Sequence, residues 1–123
     1  MSDKRAVVLN CIDGRIQVPV IEWIKKNYGV DNVDNVTEPG MDGILSDPQK
    51  SIEAFIKKVE ISIRVNSAEI IVVVGHHDCR GNPVSEELHK EQIRSSVSRM
   101  KKEFSTIPVV GLWINDRWQG EKI

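Results

Sequence analysis

The chain alternates short runs of β-branched residues with longer stretches whose apolar positions recur at helical spacing. Ile70-Ile71-Val72-Val73-Val74-Gly75 is the strongest run, and Ala6-Val7-Val8-Leu9-Asn10 is the next. Such runs, apolar on both faces and closed by a turn residue, predict strands covered on both sides, as in a parallel sheet. Strands are predicted over 5–10, 32–37, 69–75 and 107–114. Between them the periodicity predicts a helix over 18–28, with Val18, Ile21, Ile24 and Tyr28 on one face and Pro19 in its first turn. A second helix is predicted from Asp47 as cap and Pro48 as first helical residue to Val65, through Ile52, Phe55, Ile56, Val59 and Ile63. A third opens at Asn82-Pro83 and carries the stripe Ile93, Val97, Met100 and Phe104. Glu38-Pro39-Gly40-Met41-Asp42-Gly43 reads as a loop where backbone comes close to something. Turn residues after Ile114 predict a short edge hairpin in the tail. The alternation predicts an α/β fold with a mostly parallel sheet. A length of 123 residues suits a single domain, 1–123, and no repeat or linker interrupts it.

Composition narrows the partners. The formal net charge of −1 offers no electrostatic case for nucleic acid or an anionic membrane. The polar start, Met1 to Arg5, and the short apolar run after it do not form a signal or a membrane span. Two cysteines make no disulfide framework and suit a reducing compartment, so a cytoplasmic protein is expected.

Those two cysteines carry the candidate chemistry. Cys11 follows the first strand, and His76-His77-Asp78-Cys79 follows the central one. In doubly wound sheets ligands sit beyond the carboxyl ends of the strands, where chain order reverses. If the two strands are neighbours, Cys11, His76 and Cys79 converge as two thiolates and one imidazole with a fourth position open, a set suited to catalytic zinc. Zinc lowers the pKa of bound water to about 7, against about 15.7 in bulk, so such a site would hold a nucleophilic hydroxide. His77 competes with His76, and the residues alone barely separate them. Asp13 and Arg15 flank Cys11. Asp13 either closes the site as a fourth ligand, or is held by Arg15 in a bidentate pair and orients the nucleophile.

The motifs Cys11-x-Asp13-x-Arg15 and Gly75-His76-x-x-Cys79 resemble those of the β-class carbonic anhydrases. The Gly-containing loop after the second strand, the long helix before His76 and Val109-Val110-Gly111 fall in that family's order. The resemblance implies a three-layer sandwich around a sheet of four to five strands. It implies zinc bound by Cys11, His76 and Cys79, an Asp13–Arg15 dyad, and reversible hydration of carbon dioxide to bicarbonate. It implies a homodimer or higher homo-oligomer, here a small member without the family's usual N-terminal helical arm. Gly40-Met41-Asp42-Gly43 replaces an Ala-Gly-Gly-like stretch, and Arg80 stands where a glycine is common. Three alternatives remain open: a carbonyl sulfide or carbon disulfide hydrolase of the same family, a non-catalytic zinc protein closed by Asp13, and a redox protein with a Cys11–Cys79 disulfide. His89 is expected to be a solvated helix residue, Asp78 and Glu38 loop acids, and Trp23, Trp113 and Trp118 packing or dimer contacts.

Overall fold

The computed structural model describes residues 3–123. The elements are β1 (Arg5–Asn10), α1 (Gly14–Tyr28), β2 (Asn32–Thr37), α2 (Met41–Leu45), α3 (Glu53–Asn66), β3 (Ala68–His76), α4 (Glu86–Glu103), β4 (Val109–Ile114) and β5 (Gly120–Lys122). They build a five-stranded sheet in the order β2-β1-β3-β4-β5. The first four strands run parallel, with Val8 opposite Val72 and Val73 opposite Gly111; β5 returns antiparallel along β4 as the expected edge hairpin.

The β-branched runs form strands because both of their faces are covered. Ala6, Val8, Val72, Val74, Leu112 and Ile114 pack against Ile16, Val20 and Ile24 of α1. Val7, Leu9, Ile71 and Val73 point to the other face, against Met41, Leu45, Val59 and Met100 of α2, α3 and α4. Alternate side chains of one strand thus enter opposite cores, which explains why these strands are apolar without alternation. The result is the expected three-layer sandwich with a mostly parallel sheet. No helix among the described residues is long and apolar enough to cross a membrane.

Three helix starts differ from the pattern-based expectation, each for a local reason. Helix α1 begins at Gly14, not Val18, because Asp13 caps it by accepting from the Arg15 backbone N–H at 2.9 Å. Pro19 therefore lies in the second turn, and its missing N–H removes one helical bond. Val18 is 62% exposed, and the buried stripe is Ile16, Val20 and Ile24. Asp47 does not cap a helix; its carboxylate accepts from Gln49 N–H in a local turn, and α3 starts later, at Glu53. Helix α4 opens not at Asn82-Pro83 but after Ser85, whose Oγ accepts from Leu88 N–H at 3.1 Å. Removing that cap in Ser85→Ala is expected to lower stability by about 1 kcal/mol, read as a lower urea midpoint at unchanged m value.

The stretch expected as a loop between β2 and α3 contains the short helix α2. Its approach residue, Gly40, has φ +64°, and a Cβ there would lie 2.5 Å from the Gly81 carbonyl oxygen. Close backbone approach was the reading of this glycine, and the partner is the turn that carries Cys79. Gly40→Ala combines left-handed strain with a clash against rigid backbone, and should cost about 3 kcal/mol by urea denaturation.

Candidate metal centre

Strand order reverses between β1 and β3, and both Cys11 and His76 stand at the carboxyl ends of these two strands. That is where an open parallel sheet leaves a crevice, because the crossovers on either side leave in opposite directions. Cys11, His76 and Cys79 come together there, with their donor atoms all within 4.8 Å of one another and all three residues buried. The two sulfurs are 3.9 Å apart and both thiols are free. Two zinc–sulfur bonds of about 2.3 Å at a tetrahedral angle span about 3.8 Å, so the spacing suits one shared ion. It is far beyond the roughly 2.05 Å of a disulfide bond.

Each donor is fixed by local structure. His76 Nδ1 lies 2.8 Å from the His77 carbonyl oxygen. A carbonyl only accepts, so Nδ1 carries the proton and Nε2 holds a lone pair. That Nε2 is buried without a hydrogen-bond partner, the state expected of an imidazole prepared for a cation. Cys11 leaves β1 through its N–H to the Asn10 side chain at 3.0 Å. The Gln17 amide then donates to the Cys11 and Asp13 carbonyls, at 2.8 Å each, and holds the turn between them. Cys79 sits on a tight turn in which Asp78 takes a positive φ of 55°. His77, the rival ligand, is exposed and faces the Trp118 ring at 6.2 Å between centroids.

The charges in the cluster are matched to a dication. The Cys79 thiol, hydrogen-bonded to Cys11, holds the Cys11 thiol well below its ordinary value. The same contact, with burial and the Cys11 charge, pushes the Cys79 thiol up. Burial disfavours the His76 imidazolium, but the Cys11 sulfur and the His77 carbonyl outweigh it and raise its pKa. Without a cation, then, Cys11 carries the negative charge and Cys79 keeps its proton. A divalent ion removes the repulsion that retains it.

Asp13 does not belong to the three-donor group. Arg15 grips its carboxylate through Nη2 at 2.7 Å and through Nε at 3.1 and 3.2 Å. This bidentate pair, with Asp13 only 19% exposed, brings the Asp13 carboxyl down to about 2. Arg15 also reaches Asp78, donating to its carboxylate at 3.1 Å and its carbonyl at 3.0 Å, and its guanidinium lies 4.8 Å from the Trp118 ring centre. Asp78 and Trp118 thus hold Arg15, beyond the loop and packing roles expected of them. Asp13, Gly14, Arg15 and Arg80 line an open cavity of about 500 Å³ beside the metal-type donors.

One buried pair was missed by pattern reading. His89 is 1% exposed, not solvated, and its Nδ1 lies 2.6 Å from the carboxylate of Asp42, itself 1% exposed. A signal existed: His89 stands four residues before Ile93 and so heads the same helical stripe. Trp113 is buried beside it, with ring centroids 5.3 Å apart.

Fold and site together describe a parallel-sheet α/β protein with a Cys-His-Cys cluster that could bind a metal. Comparison with known proteins agrees. A family described as "Putative carbonic anhydrase" matches residues 1–123, and the chain belongs to it. Among solved structures it is similar to β-carbonic anhydrase isoform I of Trichomonas vaginalis, with 16% identity and a TM-score of 0.67 over 99% of this chain and 84% of that one. The Streptococcus mutans carbonic anhydrase matches with 16% identity and a TM-score of 0.68 over 100% and 85% of the two chains. A tetrameric β-carbonic anhydrase of Sordaria macrospora matches with 13% identity and a TM-score of 0.54 over 99% and 82%. At these identities the likeness is one of fold. No curated protein sequence matches the chain.

Proposed function

We propose that residues 1–123 form a zinc-dependent carbonic anhydrase that interconverts carbon dioxide and bicarbonate, with Cys11, His76 and Cys79 holding the metal. The observation that carries this reading is the convergence of two free sulfurs and an unpartnered imidazole Nε2 within 4.8 Å, beside a carboxylate held away from them by an arginine. Bound there, zinc supplies the Lewis acidity that makes water a nucleophile near neutral pH. The chain's own residues do the rest. Asp13, kept ionised by Arg15, accepts a hydrogen bond from the attacking water and aims its lone pair at the carbon. Arg15 keeps that carboxylate from swinging inward to close the site. Arg15 and Arg80 place two guanidinium groups on the cavity wall, where they draw the anionic product outward.

A reducing, cytoplasmic setting suits two free buried thiols. A homodimer or higher oligomer suits Ile12 and Val18, which are 59% and 62% exposed beside the site. Like the tetrameric Sordaria macrospora enzymes, the chain would then work as an assembly, which sedimentation velocity would show as a mass above 13.9 kDa.

Stopped-flow carbon dioxide hydration by zinc-loaded protein tests the reading across roughly pH 6 to 9, the range around the pKa of about 7 that zinc confers on water. Hydration above background supports it. Sulfide release from carbonyl sulfide or carbon disulfide without hydration would reassign the substrate. Bound zinc with neither reaction would leave a non-catalytic zinc protein.

A further inference from the structure

The three donors are not held equally well. Cys11 and His76 extend directly from strands β1 and β3, whereas Cys79 rides on a turn beyond any strand. The side of that turn away from Arg15 is fixed through Asn82, whose N–H donates to the Cys79 carbonyl at 3.2 Å. The Asn82 amide spends both of its protons within the protein, on the buried Asp42 carboxylate at 3.0 Å and on the Gln92 side-chain oxygen at 2.7 Å. The other Asp42 oxygen meets His89 Nδ1. Gln92 and His89 are both on α4, and Asp42 is on α2. A continuous hydrogen-bonded chain therefore runs from the body of α4, through a buried carboxylate, to the backbone of Cys79.

The seat of that carboxylate is itself built. A Cβ at position 75 would collide with Asp42 Oδ2, so Gly75 leaves room for it over β3, one residue before His76. A buried acid without partners would be costly, and Asp42 has partners on both oxygens: His89 on one, and Asn82 with the Gly43 N–H on the other. This polar cluster lies on the α4 side of the sheet and supplies none of the metal-type donors, so the mechanism above does not use it.

We propose that Asp42 and His89 are positioning residues that, through Asn82, preset the Cys79 turn for the metal. The proposal rests on the metal-centre reading and adds that the cluster sets the affinity and geometry of the site. Supports one step behind a metal ligand are worth about 10–100-fold in affinity.

The test uses the full chain and two probes, zinc in competition with a chromophoric chelator and cobalt(II) by its thiolate charge-transfer and ligand-field bands. Asn82→Ala and His89→Leu are each expected to weaken zinc binding about 10–100-fold and to shift the cobalt bands. His89→Asn, whose amide N–H falls where Nδ1 was, restores most of the affinity. The double variant Asn82→Ala/His89→Leu loses no more than the larger single loss, because both act through one chain. Val59→Ala, a destabilising core change in α3 outside the cluster, leaves affinity within twofold. Asn82 is half-buried and outside any helix or strand, so its arm stands even if His89→Leu does not fold. Affinity within twofold of the parent in Asn82→Ala, a loss no larger than that of Val59→Ala, or additive losses in the double variant would each overturn the proposal. If the parent protein binds neither metal, the metal-centre reading fails and this proposal with it.

Discussion

Cys79→Ala is expected to abolish stoichiometric zinc binding and, with it, hydration activity above background. The site offers two sulfurs and one nitrogen, and removing either sulfur leaves two donors on an ion that prefers four. No other acidic, thiol or imidazole group among the described residues completes the cluster, since Asp13 is committed to Arg15. Zinc content after gel filtration should fall from about one ion per chain to none. Chelating the parent protein should reproduce the loss. It should also lower thermal stability, because a ligand present at a thousandfold its Kd adds about 4 kcal/mol to the folded state. The same balance sets a pH dependence. The raised Cys79 thiol keeps its proton until the metal displaces it, so protons and zinc compete for that sulfur. Apparent zinc affinity should therefore rise as pH rises through the neutral range and fall on acidification, with proton release on binding measurable by calorimetry in two buffers. A Cys79→Ala protein that retains one zinc per chain would refute the ligand assignment.

The second large effect belongs to Asp13. Asp13→Asn should lower kcat by about 10²- to 10⁴-fold, the usual worth of a positioned acid–base group, while zinc content stays at about one ion per chain. Asparagine is the informative replacement because it caps a helix about as well as aspartate, so α1 keeps its start at Gly14. What changes is the charge and one acceptor. The new amide turns an N–H toward the Arg15 guanidinium, itself only a donor, and the bidentate pair is lost. Asp78→Asn alters only the outer contact of Arg15, at a carboxylate 56% exposed, and should cost less than about threefold. Full activity in Asp13→Asn would show that the carboxylate plays no part. Loss of zinc together with activity would make it a ligand.

The errors of pattern reading share a cause. Helix α1 was expected from Val18 because the apolar spacing starts there, yet Asp13 caps it five residues upstream. Ile16 then heads the buried stripe, which is visible only once the sheet it covers is known. The cap at Asp47 failed for the same reason: an Asx turn satisfies its carboxylate locally, and nothing in the neighbouring residues distinguishes that turn from a helix start. His89 was assigned to solvent because the first half of α4 is polar. It is buried by a carboxylate 47 positions away in sequence.

The amino-acid sequence by itself determined the α/β layering and the parallel strands, and it placed Cys11 and the His76–Cys79 segment each at the carboxyl end of a strand. Those follow from local periodicity and from the rule that parallel strands open their crevice at their carboxyl ends, and both are properties of short segments. Only the tertiary structure decided that His76 rather than His77 faces the sulfurs, that Asp13 turns to Arg15 and not to the cluster, and that Asp42 and His89 share a buried bond. Each is a choice among side-chain partners of similar chemistry. Burial and distance make that choice, and they exist only after segments remote in the chain have packed together.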